Sequence, residues 1–513
     1  MIKETRVENG RLRGIQCADP RIIAYKGVPF AAPPVGKNRW RAPQPAEDWE
    51  GVLDCARFKP ISLQVVPGSQ HNIYEREWNV DPDIEMSEDC PYLNVWTPAK
   101  TKDEKLPVFV WFFGGGLQEG NTQEMEFNGE RIARRGIVVV TVNYRLNVFG
   151  FLAHPWISAE APDFPTNFGN LDQRYGLLWV QRNIAAFGGD PDNVTIGGQS
   201  AGAGSVQTQL ASPLNKGLFH KAVIMSGTFL GSYGGHVPGG KILLSEAEER
   251  GKELFDALGF KSLEEARAMP AEELNRKYIA WNQSRPMPEN APLHLVFETT
   301  VDGNFCTDGV TECMREGRYM HMPLIIGGTL DEFHNKLSAD TDAEFEEKAG
   351  KLFGKDADGF LRLTDGKDLA ERIAKSEFSP VEAGARVIMD AARTAGRPEK
   401  IFYYQFDADI PGWDDPGAFH SVDLWFFFET LASCWRPFTG EHYDLAEKMC
   451  SYWANFFKTG DPNGCGRGGA QLPEWKSYNE SGAAMRFIHD AKMGSPADET
   501  ELTKFLVARA MKK

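Results

Sequence analysis

Ile137-Val138-Val139-Val140 is a run of apolar, β-branched residues with no polar residue between them. A strand with one wet face alternates apolar and polar residues, so an unalternating run belongs in a sheet covered on both faces. The chain repeats this signature at residues 106–112, 137–143, 193–196, 221–225, 323–326 and 401–406. Longer stretches with helical spacing lie between them; residues 172–186, for example, carry Leu177, Val180 and Ile184 on one face. Short buried strands separated by helices predict an α/β fold, with a large, mostly parallel central sheet flanked by helices. Two charged stretches, 246–280 and 342–375, read as helical insertions within about 240–320 and 335–400. No internal repeat or low-complexity linker divides the chain, so residues 1–513 are read as one domain carrying those insertions.

Several function classes are excluded early. The formal charge is −16, with both signs scattered along the chain, and an acidic balance opposes a nucleic-acid partner. No apolar run approaches the roughly 18 residues of a membrane helix, so no membrane partner is expected. Met1-Ile2-Lys3-Glu4-Thr5 lacks the apolar core of a secretory leader, and a cytoplasmic location is expected. The eight cysteines show no paired C-x-x-C spacing, which opposes a zinc site and predicts free thiols. Neither metal nor cofactor is implied.

Chemistry enters at Gly198-Gln199-Ser200-Ala201-Gly202. The pattern follows a strand and precedes a helical segment, and small residues two before and two after the serine let strand and helix approach. Such a turn projects the hydroxyl above the sheet edge and leaves the Ala201 N–H free to donate to an oxyanion. The alternative is a plain glycine-rich turn. A second element, Phe113-Gly114-Gly115-Gly116-Leu117, follows the strand 106–112; with no Cβ in the way, its amides suit an oxyanion site shared with Ala201. A serine nucleophile needs a base and an orienting acid. Among ten histidines, His420 lies in a loop between strand 401–406 and an aromatic helix, and His334 and His220 compete with it. Asp331 and Glu332 follow the strand 323–326, where sites of parallel sheets assemble, and both stay open as the acid.

These residues resemble the type B carboxylesterase/cholinesterase family of α/β-hydrolases. Phe187-Gly188-Gly189-Asp190-Pro191, continuing through Ser200 to Gly202, looks like the family's serine signature, and Ser87-Glu88-Asp89-Cys90-Pro91-Tyr92-Leu93-Asn94 like its second, with Pro91 where leucine is usual. Tyr25 to Ala31, Asn143-Tyr144-Arg145, Phe149 to Leu152, Asp331-Glu332, Phe419-His420 and Thr459 to Asn463 match further blocks, over roughly residues 20 to 490. The resemblance implies Ser200 as nucleophile, Glu332 as acid and His420 as base. It implies Gly115, Gly116 and Ala201 as oxyanion donors, and Ser226 as a serine bonded near the acid. Departures matter too. Gln199 stands where many relatives have glutamate, which removes an anion beside the base and weakens any case for a choline-like substrate. Phe113 stands where histidine or tyrosine is common. Cys90 lacks the upstream partner of secreted relatives, since that region reads Pro60-Ile61-Ser62-Leu63-Gln64. Residues 64–86 are therefore expected to form a longer, less constrained flap over the site.

The expected activity is hydrolysis of neutral carboxylic esters, short-chain alkyl or aryl, through an acyl-enzyme, with the ester and water as the only partners. Phe113, Leu117, Phe333 and Trp425 flank the motifs and read either as pocket walls or as core packing. A non-catalytic binding protein of the same fold is one alternative, opposed by the complete serine, glutamate and histidine set. A lipase or amidase is another.

Overall fold

The computed structural model describes residues 1–230, 241–286 and 295–512. Its centre is an 11-stranded mixed sheet. In chain order the strands are β1 (Ile15–Gln16), β2 (Ile23–Pro29), β3 (Tyr92–Thr97), β4 (Leu106–Phe112), β5 (Val138–Val142), β6 (Gly189–Gln199), β7 (Lys221–Met225), β8 (Leu324–Thr329), β9 (Ile401–Phe406), β10 (Met485–Phe487) and β11 (Ala491–Met493). In space the order is β11-β10-β9-β8-β7-β6-β4-β5-β3-β2-β1. The stretch from β5 through β4 to β10 is parallel, and the pairings outside it are antiparallel. A separate three-stranded sheet joins Glu4–Val7, Gly10–Arg13 and Val52–Asp54.

The unalternating runs are covered on both faces, as their composition requires. In β4, Phe109 stacks on Phe457 of the helix Gly440–Thr459 at 4.3 Å between ring centroids, and Trp111 stacks on Phe427 at 5.6 Å. Val108 points the other way, toward Ile184 at the end of the helix Phe168–Asn183. Rings of this size bury about 150–250 Å² each, so each contributes roughly 4–6 kcal/mol of apolar burial before the entropy of ordering it.

Several boundaries differ from the sequence expectation, and β8 runs on to Thr329; the two largest differences have a physical reason. The strand expected at 193–196 runs as Gly189–Gln199, since its glycines continue to pair with β4 and β7. The helix expected from Asp172 begins at Phe168. The apolar spacing at Leu177, Val180 and Ile184 marks only the later turns; the first turn is held by the Asp172 carboxylate, buried against Arg145 with nitrogen–oxygen distances of 2.8 Å.

Helices Leu244–Leu258, Leu263–Ala268 and Ala271–Gln283 occupy the first expected insertion, although residues 240 and 287–294 lie outside the described residues. Helices Asp342–Phe353, Ala357–Leu363, Leu369–Lys375 and Pro380–Thr394 occupy the second. Phe345, Phe353 and Phe360 pack there with Leu502 and Leu506 in a small apolar cluster apart from the main core. Among the described residues no helix is long and apolar enough to cross a membrane.

Candidate active site

The strand order reverses beside β4, which has β6 on one side and β5 on the other. Ligands of open parallel sheets bind at the carboxyl ends of strands at such a point. Phe112 of β4 pairs with Gly198 of β6, so Gly114-Gly115-Gly116 and Ser200 leave the sheet side by side.

Ser200 occupies the junction of β6 and the helix Ala201–Ala211, with φ 56° and ψ −126°. A non-glycine residue is strained there. The turn survives because its neighbours take up almost no room. A Cβ on Gly202 would lie 2.1 Å from the Phe112 carbonyl oxygen, so glycine alone lets the helix start this close to β4. Gly115 has φ 99°, and a Cβ there would lie 2.2 Å from the Glu119 carbonyl oxygen. Among the described residues no protein acceptor takes the N–H of Gly115, Gly116 or Ala201. Three uncommitted amides therefore surround the serine.

His420 and Glu332 meet from different strands. Glu332 follows β8 and is 1% exposed; His420 lies between β9 and the helix Asp423–Phe427 and is 7% exposed. His420 Nδ1 hydrogen-bonds Glu332 Oε2, and the Thr329 N–H donates to Glu332 Oε1 at 3.1 Å. This contact holds the imidazole with its proton on Nδ1 and its lone pair on Nε2. That lone pair accepts from the Gln199 side-chain amide at 3.1 Å. Ser200 and His420 line one cavity.

Asp331, the other acid left open by the sequence, turns away. It is exposed, and its Oδ2 accepts from the Ala418 N–H at 2.8 Å. The competing histidines are occupied elsewhere. His334 bonds Glu377 at 2.8 Å and the Leu330 carbonyl at 2.9 Å, and His220 accepts from the Val194 N–H at 3.1 Å.

Ser226 follows β7 with φ 49° and is fully buried. Its Oγ and Glu332 Oε1 both crowd the point where a Cβ on Gly328 would sit, at 2.8 and 2.5 Å. The hydroxyl lies beside the acid, but among the described residues its Oγ has no hydrogen-bond partner, unlike the bond that the family resemblance implies.

Ser200 opens onto two chambers. The larger, about 240 Å³, is lined by Tyr74, Trp78, Glu124, Phe127, Leu424 and Phe333 among others. The smaller, about 50 Å³, is lined by Leu117, Ala201, Gly204, Phe229 and Phe333. A cavity of about 440 Å³ lies behind Glu332, but neither Ser200 nor His420 lines it. Of the expected wall residues, Leu117 and Phe333 line the chambers, and the Phe333 ring lies 4.3 Å from the His420 ring. Phe113 and Trp425 do not. The Phe113 ring turns into the core and stacks on Tyr144 at 4.3 Å. Trp425 is fully buried, with its indole N–H on Glu77, and the neighbouring Leu424 reaches the cavity instead.

Sequence reasoning expected a loosely held flap over the site. The flap does cover it, through Tyr74 and Trp78, and Cys90 is a buried free thiol; the other cysteines are unpaired too, with Cys465 exposed. The flap is nevertheless fastened. Gln64 exchanges two hydrogen bonds with Gly120, and Glu77 forms a fully buried ion pair with Arg436 at 2.8 Å. Nothing in the local sequence pairs Glu77 with Arg436, because the partners lie far apart in the chain. Asp423, three residues after His420, also escaped notice. It accepts from the Tyr404 hydroxyl at 2.8 Å, and burial raises its carboxyl to about 7. Glu124 and Glu126, shortly after the glycine turn, also line the larger chamber; two acids one residue apart were the readable signal for them.

The fold and the grouping of serine, glutamate and histidine at its strand ends define an α/β-hydrolase of the serine-hydrolase class. The Carboxylesterase family model matches residues 3–379 and 364–503, and the chain belongs to that family of ester hydrolases. The chain is similar to the para-nitrobenzyl esterase of Bacillus subtilis, 32% identical over 92% of this chain and 91% of that one. It is also similar to the fumonisin B1 esterase of Sphingopyxis macrogoltabida, 30% identical over 94% of this chain and 85% of that one. Among solved structures, a PNB esterase superposes with a TM-score of 0.79 at 27% identity, covering 99% of each chain. A Geobacillus stearothermophilus carboxylesterase superposes with a TM-score of 0.75 at 29% identity, covering 100% of each.

Proposed function

We propose that the chain hydrolyses neutral carboxylic esters of short acyl chain through an acyl-enzyme on Ser200. His420 takes the Ser200 proton at Nε2 as the hydroxyl attacks the ester carbonyl. Glu332 holds the imidazole in the right tautomer and stabilises the cation that forms. The N–H groups of Gly115, Gly116 and Ala201 receive the oxyanion. His420 then protonates the leaving alcohol, and water resolves the acyl-enzyme by the same route. The observation that carries this reading is the pairing of His420 with Glu332 at the cavity where Ser200 meets three uncommitted amides. Gln199 must release Nε2 before the serine can use it, which makes it a positioning residue for the base.

The small chamber, about 50 Å³, supports assignment to the acyl group, and the large one, about 240 Å³, to the alcohol. About 50 Å³ holds only a few carbons, so p-nitrophenyl esters of rising acyl length should peak in kcat/KM at two to four carbons. A maximum at eight or more would reverse the assignment of the chambers, and activation on emulsified substrate would favour a lipase. The reading takes residues 1–513 as one α/β-hydrolase domain with helical insertions, supported by the first helical group packing into the main core through Leu254, Phe255 and Leu274 and by helix Pro380–Thr394 packing on β8. It also places the protein in a reducing, cytoplasmic compartment, supported by its eight unpaired thiols.

A further inference from the structure

The large chamber has polar groups that the reaction above does not use. Glu124 and Glu126 line it from the 3-10 turn Met125–Phe127 and the residue before it, and Glu119 lines it as well. None of them lines the small chamber. Glu126 is fully buried, and among the described residues no well-aligned donor reaches either of its carboxyl oxygens; only the facing Glu124 carboxyl and the N–H of Glu126 itself lie close by. Glu124 accepts one bond, from the Asn121 N–H at 2.6 Å. The charges that bear on the pair are each other, Glu119 and Glu77, all acidic. Glu77 is already taken up by Arg436. Burial, followed by mutual repulsion, pushes the Glu126 carboxyl well above its ordinary range, and burial raises Glu124 to about 7.

Two neighbouring carboxyl groups without a cation hold one proton between them. That shared proton accounts for one oxygen of Glu126. The other has only the N–H of its own residue nearby and remains a buried acceptor without a well-aligned donor, beside a cavity large enough for an organic molecule. A buried polar atom without a partner lowers stability. Chains keep such groups where function requires them, and an apolar residue of similar size would make the fold more stable.

We propose that Glu124 and Glu126 form a binding site for a hydrogen-bond donor, a hydroxyl or an ammonium group, carried by the alcohol portion of the ester. The inference rests on the assignment of the large chamber to the alcohol. The pair supplies acceptor oxygens and a net negative charge, and Glu119 adds to the field. A hydroxyl several carbons beyond the ester oxygen completes the empty acceptor, and an ammonium group does so with charge. A carboxylate at the same place meets only repulsion.

The test compares kcat/KM for butyrate esters of matched length: n-pentyl, 4-hydroxybutyl, 4-(dimethylamino)butyl and 4-carboxybutyl. A site that hydrogen-bonds a substrate group discriminates against the analogue lacking it, so wild type should favour the hydroxyl ester over the pentyl ester by about tenfold. The ammonium ester should gain at least as much, and the carboxylate ester should fall below the pentyl ester. In Glu126→Leu the hydroxyl-to-pentyl ratio should fall to about one. A ratio within one variant is insensitive to the fraction of protein folded. Where Glu126→Leu does not fold, Glu126→Gln keeps the volume and should lose the ammonium preference about tenfold. A wild-type preference for the pentyl ester, or variants that keep the wild-type ratios, would overturn the proposal. A parallel acyl-side pair with the hydroxyl at a comparable distance, butyl 6-hydroxyhexanoate against butyl heptanoate, separates failure of the proposal from failure of the chamber assignment. If the hydroxyl preference appears only there and vanishes in Glu126→Leu, the chamber assignment falls and takes the proposal with it. If neither pair discriminates, the proposal falls and the chamber assignment stands.

Discussion

Replacing Glu332 by glutamine changes one atom in the least hydrated part of the site, and its cost can be worked from the geometry. Glu332 is 1% exposed, so no water layer softens the change. Its Oε2 accepts the His420 Nδ1 proton, while Oε1 takes the Thr329 N–H. With Thr329 holding the amide oxygen, the glutamine NH₂ faces Nδ1 as a donor. The imidazole then keeps its proton on Nε2, the nitrogen that must accept from Ser200. A triad locked in the wrong tautomer loses on the order of 10⁴-fold in kcat, about 5.5 kcal/mol at 1.36 kcal/mol per tenfold. Asp331→Asn is the internal control. Asp331 is exposed, and asparagine can still accept from the Ala418 N–H, so kcat should stay within about tenfold of wild type. The assay is initial rate on p-nitrophenyl butyrate, with thermal melts to show that both variants fold. An Asp331→Asn loss above 10²-fold, with Glu332→Gln within tenfold of wild type, would refute the reasoning and exchange the two roles.

Gln199→Glu should move the acid limb of the kcat/KM profile to higher pH. The amide beside Nε2 carries no charge, whereas a carboxylate in its place accepts from the protonated ring and favours it; a limb unchanged or moved to lower pH, measured on a neutral phenyl ester, would count against this contact. Gly202→Ala should destabilise the fold by about 1–3 kcal/mol or more, because the added methyl meets the Phe112 carbonyl oxygen at 2.1 Å. Gly204→Ala, two residues on in the same helix, meets nothing within 4 Å and should leave the melting temperature unchanged or raised; equal melting temperatures for the two variants would contradict the packing described for the turn.

The central strands were legible because burial on both faces writes an unbroken apolar run, as in Lys221–Met225 and Ile401–Phe406, whose bounds match the sequence reading. The edge strands were not. Ile15–Gln16 and Ala491–Met493 are two and three residues long, too short for any period to show. Ser200, His420 and the Gly114 to Gly116 turn were legible as chemistry, since few residue types serve those roles. The choice between Asp331 and Glu332 was not, because adjacent carboxylates differ only in the direction each side chain takes from the backbone. The walls of the cavity were legible only in part. Phe113 and Trp425 sit next to functional residues in sequence, but a neighbour in sequence points elsewhere on a turn, and both rings complete the core. The anchoring of the flap depends on Glu77 meeting Arg436 across 359 positions, a pairing that only the folded chain creates.

The most direct measurement is covalent trapping. Wild-type protein treated with diethyl p-nitrophenyl phosphate should lose activity in step with release of one p-nitrophenol per chain. Peptide mass spectrometry should then find one diethylphosphoryl group, on Ser200. Ser200→Ala should release no burst and carry no adduct while its thermal melt stays intact. An adduct on another residue, or a Ser200→Ala protein that keeps activity within tenfold of wild type, would contradict the assignment of Ser200 as nucleophile.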